Sequence, residues 1–472
     1  MLNYVLILCS IVVVFFYPSF WFLPFIFIFF NATSIFWQGL SPFYWGAVIL
    51  SGIIGFFSPF FWLLCAVLVF GRVSWVLWLH YIQQHFIAGI DFVLLEIIPP
   101  RDVVRSPKAM ELFFTNALYH WSLKGGREEY WQGAVWLWFS LEIVSIEGQI
   151  HFYIRTPTRI RGLIETQMYA QYPQAQIKEA PDYTLAVDEI SPKSDWQLWG
   201  CEWNLEKHHA YPIKTYVDYG LDKDPDEELK IDPLSSIIEL FAALEKGEQM
   251  WLQILVRPSK LEFTSPGSRA KHDWVEESRL ELERLLEKFA RMNVIEGDTI
   301  QRVRPPYTME KEAKGIGDKM QKIGFDVGIR TCYVAKKEAW SMNSRRNIRL
   351  IFRQYANPQL NSLVRVNATQ ADAYGGLIFI LKPEQVMELS NRMLGEYRDR
   401  SFFHDPMKKQ LLTDLSWPLS PMFFMSYKPS PVYVLNVEEI ASLWHFPGQI
   451  VKIPTLERVE SKEASPPTNL PT

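Results

Sequence analysis

The hydrophobic pattern divides the chain into two regimes. From Leu2 to Phe30 the residues are apolar apart from Asn3, Ser10 and Ser19, and a second apolar run extends from Tyr44 to Phe70. No Asp, Glu, Lys or Arg precedes Arg72. At about 1.5 Å of helix per residue, each run is long enough to cover a hydrocarbon core of about 30 Å. Trp37, Tyr44, Trp45 and Trp62 suit a membrane–water interface, and Gly46, Gly52 and Gly55 would let two helices pack closely in lipid. The pattern predicts a two-helix transmembrane hairpin over 1–72, bent at Pro18 and Pro24, then an amphipathic interfacial helix over 73–91. A third span through Val73–Ile90 is the alternative. No basic stretch precedes the first run and no small-residue cleavage site follows it, so it reads as retained rather than as a removed signal. Arg101, Arg105 and Lys108 follow soon after the hydrophobic region. The positive-inside rule then places the rest of the chain on the cytoplasmic side of the inner membrane.

Beyond residue 91 the periods alternate between 2 and 3.6, as expected of mixed strands and helices. Phe92–Ile98 reads as a buried strand stopped by Pro99-Pro100. Ser106-Pro107 opens a helix. Trp138–Val144 and Gln149–Ile154 read as a hairpin joined through Ile146-Glu147-Gly148, Thr158 caps a helix to about Tyr169, and Gln174–Lys178 is a short strand. The order β-α-β-β-α-β is that of a ferredoxin-like split βαβ unit over 92–185. A looser echo over 186–456 has strands at Trp196–Trp203, Tyr211–Val217, Met250–Val256, Phe325–Val334, Tyr374–Leu381 and Tyr433–Leu435. Its helices are expected at Asp232–Leu244, Trp274–Met292, Tyr307–Ile323 and Asn343–Tyr355. The expected fold class is α+β: a transmembrane hairpin, then ferredoxin-like units, the second with helical insertions. Residues 457–472, charged and then Pro-rich, have nothing to bury and read as a disordered tail.

Composition refines this only slightly. The 48 Lys and Arg and 52 Asp and Glu give a net charge of −4, which does not predict a polyanionic partner for the chain as a whole. Cys9, Cys65, Cys201 and Cys332 form no C-x-x-C pair, so neither a disulfide framework nor a zinc knuckle is indicated. The nearest approach to a phosphate-binding loop is Gly315-Ile316-Gly317-Asp318-Lys319. Its spacing is wrong, no Ser or Thr follows the lysine, and it lies in a helical pattern. His208-His209 reads as a solvent-facing pair at a strand edge, and the acidic stretch Asp218–Glu228 as a solvated loop. Arg345, Arg349 and Arg353 recur at i, i+4 and i+8 with Arg346 beside them, a face able to meet phosphates or an acidic partner. No catalytic, cofactor-binding or metal-binding residue stands out.

Three strings carry a family resemblance: FVLLEIIPPRDVVRSPKAMELFF (Phe92–Phe114), WFSLEIVSIEGQIHFYIRTPTRIRGLIETQMYAQYP (Trp138–Pro173) and VLNVEEIASLWHFPG (Val434–Gly448). Together with the tail SKEASPPTNLP they resemble the membrane-anchored N-terminal region of type IV secretion or conjugation-associated proteins of candidate-phyla bacteria. In longer relatives such a tail leads into a coupling-type P-loop ATPase, whereas this chain stops at Thr472. The resemblance implies a non-enzymatic, membrane-anchored scaffold or docking subunit for a cytoplasmic P-loop ATPase on a separate polypeptide. The expected partners are a lipid bilayer, that ATPase and a second copy of the chain, without direct binding of nucleic acid and without a cofactor. The alternatives are a membrane-tethered enzyme with an unfamiliar site, or a nucleic-acid adaptor using the Arg345–Arg353 face.

Overall fold

In a computed structural model, the described residues are 77–100, 105–119, 126–222, 231–259, 263–264, 271–290, 295–296, 299–300, 306–370, 383–403 and 432–448, with single helical positions between 63 and 75. Among them no helix is long and apolar enough to cross a membrane. That overturns the expected transmembrane hairpin and the multi-pass inner-membrane placement drawn from it. The expectation rested on apolar content, whereas a span requires one unbroken helix of about 20 residues. Residues 1–62 lie outside the described ones, as do the expected strand at Tyr374–Leu381 and the tail over 457–472. The chain forms two compact units, Met1–Ile82 and Gln83–Thr472, and all the described strands lie in the second.

One sheet of nine strands organises that unit, and the class is α+β. The strands are β1 (Phe92–Ile98), β2 (Phe139–Ile146), β3 (Gln149–Pro157), β4 (Gln176–Glu179), β5 (Trp196–Leu205), β6 (Glu248–Pro258), β7 (Gly324–Lys336), β8 (Leu363–Val366) and β9 (Tyr433–Asn436). Their spatial order is β8-β5-β7-β6-β2-β3-β1-β4, with β9 on the first residues of β7, and every pairing is antiparallel. The two halves repeat one arrangement: β4-β1-β3-β2 on one side and β8-β5-β7-β6 on the other. They meet where β2 pairs with β6 along its whole length, from Phe139↔Val256 to Ile146↔Gln249. The seam closes the edge that each half would otherwise leave open, and an open edge is a template for unwanted strand pairing. The α+β units expected over 92–185 and 186–456 therefore share a single sheet.

Both faces of that sheet are covered, which is why β2, β6 and β7 are buried along almost their entire length. One face carries α1 (Lys108–Phe113, continuing as a π-helical turn over Phe114–Leu118), α3 (Arg161–Gln171), α4 (Ser235–Ala242) and α9 (Val437–Leu443), which share a large apolar core with the strands. The short α2 (Gly126–Trp131) precedes β2. Between β6 and β7 stand α5 (Trp274–Ala290) and α6 (Tyr307–Met320), packed on each other, and α7 (Met342–Asn347) follows β7. The other face is covered by α8 (Pro383–Asp399), whose Met393, Leu394 and Tyr397 pack with Tyr183, Val187 and Ile190 over Val144, Trp251 and Cys332.

Several local outcomes differ from the pattern-based expectation for identifiable reasons. Tyr211–Val217 is turn rather than strand because side chains of α9 satisfy its backbone. Ile213 N donates to Glu439 at 2.9 Å and Tyr216 N to the Ser442 hydroxyl at 2.8 Å. Thr158 opens a 3-10 turn, and its hydroxyl donates to the Asp91 carbonyl rather than capping a helix. The β2–β3 turn does use Glu147 and Gly148, both left-handed at φ 53° and 85°, as a two-residue type I′ turn requires. A Cβ at Gly148 would lie 3.0 Å from the carbonyl oxygens of Ala242 and Leu244. Gly148→Ala is therefore expected to lower stability by more than about 1 kcal/mol, read as a lower urea midpoint, because both the positive φ and the close approach oppose a side chain.

Candidate functional site

A row of polar residues crosses the α8-covered face of the sheet in direct register. It runs Lys178, Glu96, Tyr153, Glu142, Gln253, Arg330 and Glu202, one residue from each of seven neighbouring strands, and ends against Val366 on β8. Partners in register point to the same side of a sheet, so the row is contiguous. Its central members are buried: Glu142, Gln253, Arg330 and Glu202 are at most 1 % exposed. Glu142, Gln253 and Glu202 each sit between apolar neighbours in their strands, and Arg330 between Ile329 and Thr331.

Two arginines anchor the row. Arg330 donates through Nε and Nη2 to Glu202 Oε1 at 3.0 and 2.9 Å, and through Nη2 to Glu396 Oε2 at 3.0 Å. Its Nη1 reaches the carbonyls of Glu396 and Ser401 at 3.2 and 2.7 Å, and Phe402 lies against its guanidinium. Arg400 comes from the end of α8 in a left-handed conformation, φ 49°. It donates to both oxygens of Glu142, at 3.0 and 3.3 Å, and to both oxygens of Asp182. Glu142 accepts further from Ser140, from Tyr183 at 2.8 Å and from Gln253 at 3.2 Å. Burial pushes the Glu142 carboxyl up, but the Arg400 charge and the hydrogen bonds from Arg400, Ser140 and Tyr183 outweigh it and hold it below the ordinary value. The same contest, again won by Arg400, lowers Asp182. The network fastens residues 396–402 to the sheet.

A second buried pair explains the lysine of the loop-like string. Gly315–Lys319 is helical, within α6, and Lys319 Nζ lies 2.9 Å from Glu439 Oε2 and 3.0 Å from the Val434 carbonyl. Glu439 also completes a capping box with Asn436 at the start of α9. That lysine is a buried counter-ion, not a phosphate ligand. Cys201 and Cys332 are free and buried, and burial pushes both thiols up, Cys201 to about 12, so neither has thiolate character near neutrality.

The arginine face expected over Arg345–Arg353 is divided. Arg345 and Arg346 lie on α7, which ends at Asn347, while Arg349 and Arg353 lie in two separate 3-10 turns. Ile348, Ile351, Phe352 and Tyr355 are drawn into the core and break the helical run. Arg346 and Arg353 are exposed; Arg345 and Arg349 are half-buried, with Arg349 5.4 Å from the Trp199 ring centroid.

His208 and His209 are placed differently from the solvent-facing reading. Both are partly buried and converge on Glu277 in the first turn of α5, with His208 Nε2 3.2 Å from Oε1 and His209 Nε2 3.2 Å from Oε2. Among the described residues this is the one cluster of three side chains with metal-ligating donors within reach of a single ion. The contacts with His209 and His208 lower the Glu277 carboxyl to about 2, while burial lowers His209. The sequence signal for the histidines was their adjacency; nothing in it indicated Glu277, sixty-eight positions beyond His209.

A family model described as Domain of unknown function (DUF8128) matches residues 136–396. The chain belongs to this family. No curated protein and no solved structure matches it. The DUF8128 match runs from just before β2 into α8, so Glu142, Gln253, Arg330, Glu202, Glu396 and the His208–His209–Glu277 cluster fall inside it. Arg400 and α9 fall outside.

Removing one partner of a buried pair leaves the other uncompensated, so Arg400→Met in the DUF8128 chain is expected to cost about 3–5 kcal/mol in a urea titration. Adding Glu142→Leu to Arg400→Met should recover part of that loss, because the stranded carboxylate goes with it. The acid limb has a definite sign. Glu142 and Asp182 have folded values below their unfolded ones, so their contribution is complete above about pH 4 and is lost as pH falls through the lower folded values. In Arg400→Met that acid sensitivity should weaken, as checked by thermal midpoints on either side of about pH 4.

Proposed function

We propose that this DUF8128 chain is a non-enzymatic scaffold or docking subunit that serves a separate P-loop ATPase in a type IV secretion-like or DNA-transfer apparatus. The observation that carries the non-catalytic reading is the saturation of the buried charges. Arg400 and Glu142 bond each other, Arg330 bonds Glu202, Glu396 and backbone carbonyls, and Lys319 bonds Glu439 and the Val434 carbonyl, holding segments together. A general acid or base needs a perturbed group presented to a substrate, and these groups are enclosed. The continuous sheet formed by two joined halves suits a rigid platform. The ATPase and the apparatus enter through the resemblance of the strings at Phe92–Phe114, Trp138–Pro173 and Val434–Gly448. Arg346 and Arg353, exposed on separate elements, are the cations we assign to an acidic surface of the motor.

Affinity purification of the tagged full chain from its native cells is expected to recover a P-loop ATPase. Arg346→Glu with Arg353→Glu should reduce that recovery about tenfold, equivalent to about 1.4 kcal/mol of binding, without changing the circular dichroism spectrum. Recovery of no ATPase would remove the docking reading. Undiminished recovery with the charge-reversed chain would keep the partner and reject contact through these two arginines.

A further inference from the structure

We infer that His208, His209 and Glu277 form a binding site for a divalent transition-metal ion of the zinc type. The donors come from two elements that nothing else in sequence brings together: the loop after β5 and the first turn of α5. The imidazole rings are tilted at 32° with 4.4 Å between centroids, and present both Nε2 atoms to one carboxylate. Two imidazole nitrogens and a carboxylate, with a further position left for water, is a donor set that zinc accepts.

Three observations favour an ion over a plain hydrogen-bonded cluster. His209 Nε2 is buried and has no hydrogen-bond partner, although a Glu277 oxygen stands 3.2 Å away. Its contact with the carboxylate thus has the distance of a polar pair without the direction of a hydrogen bond, and a cation between the two atoms removes that mismatch. The loop is also held in advance. Buried Asn361 donates to the carbonyls of His208 and Tyr211 at 3.1 and 3.0 Å and accepts from Lys207 N at 2.9 Å, a supporting shell of the kind that orients ligands. On the α5 side, Asp273 caps the turn by accepting from Glu276 N at 2.7 Å.

The surrounding charge suits a cation. Glu281 lies one helical turn beyond Glu277 and accepts from the Tyr211 hydroxyl at 3.4 Å, and Lys319, the cation facing His209 from α6, is neutralised by Glu439. One local bond opposes the ion. Ala210 N donates to His208 Nδ1 at 3.2 Å, which keeps the ring proton on Nε2. Loading moves that proton to Nδ1 at the expense of the Ala210 bond, so binding through His208 costs one neutral hydrogen bond and is coupled to proton movement. The ion would clip the helical insertion between β6 and β7 onto the end of β5.

The test is titration of the full chain with Zn2+ against a chromophoric chelator, with Co2+ as a second probe. The wild-type chain should bind one equivalent that Ca2+ and Mg2+ do not displace, and Co2+ should give the visible bands of a four-coordinate ion. Glu277→Gln and His209→Ala should each weaken binding about tenfold or more, while Glu281→Gln keeps it within a few-fold. Lowering the pH from about 7.5 to about 5.5 should weaken it too, as protons compete with the ion for its ligand atoms. Zn2+ should raise the thermal midpoint of the wild type but not of Glu277→Gln. Because Glu277→Gln can be checked for folding without metal, a misfolded variant is recognised, and His209→Ala then decides. No bound equivalent in the wild type, or equal affinity in wild type and both ligand variants, overturns the site and leaves a hydrogen-bonded cluster only.

Discussion

Placing ionised groups inside a sheet covered on both faces is the constraint on which the rest of this structure depends. Removing an ion from water costs several kcal/mol even after relaxation, and only close partners offset it. Glu142 meets that requirement with five donors, Arg330 with two carboxylates and two carbonyls. The consequence is positional. The partners of these groups come from β2, β5, β6, β7, α8 and the turn at Asp182, so the network can form only when all of them are in place. It also locks strand register, since a slip of one residue would carry the whole polar row to the opposite, apolar face.

That register is shared across two halves with the same strand order. A single half of four strands would expose β2 or β6 as an edge. Joining them along the full length of β2 turns two edges into one seam, and the central row crosses the seam at Glu142 and Gln253, which hydrogen-bond at 3.2 Å. The seam is thus held by side chains as well as by backbone.

The helical side is tied in by a different device. Glu439 caps α9, accepts from Ile213 and neutralises Lys319, so one carboxylate joins α6, α9 and the segment after β5. The same segment carries His208 and His209 toward α5, where the metal clip is inferred. Much of the buried charge in this protein fastens insertions and late-sequence segments to the sheet. That use accounts for the string VLNVEEIASLWHFPG without recourse to a ligand: its strand, capping box and buried Trp444 belong to the core.

Much of the succession of elements was legible in the chain. Alternation and length marked Phe92–Ile98, the β2–β3 hairpin and the strands now seen as β5, β6 and β7, because local pattern governs strand formation when neighbours bury both faces. Glu147-Gly148 marked the turn because few residues tolerate positive φ. Local pattern could not reveal the apolar segment at Tyr211–Val217 as a turn, the end of α7 at Asn347, or the convergence of Glu277 on two histidines, since each is set by residues distant in sequence. Nor could apolar content settle a membrane-crossing helix, which is a matter of continuous helix length. The sequence by itself determined which residues seek burial and with what period. Only the tertiary structure decided that the two halves would share a sheet and which buried charge would answer which, because pairing energies depend on distance in space and the chain order does not record it.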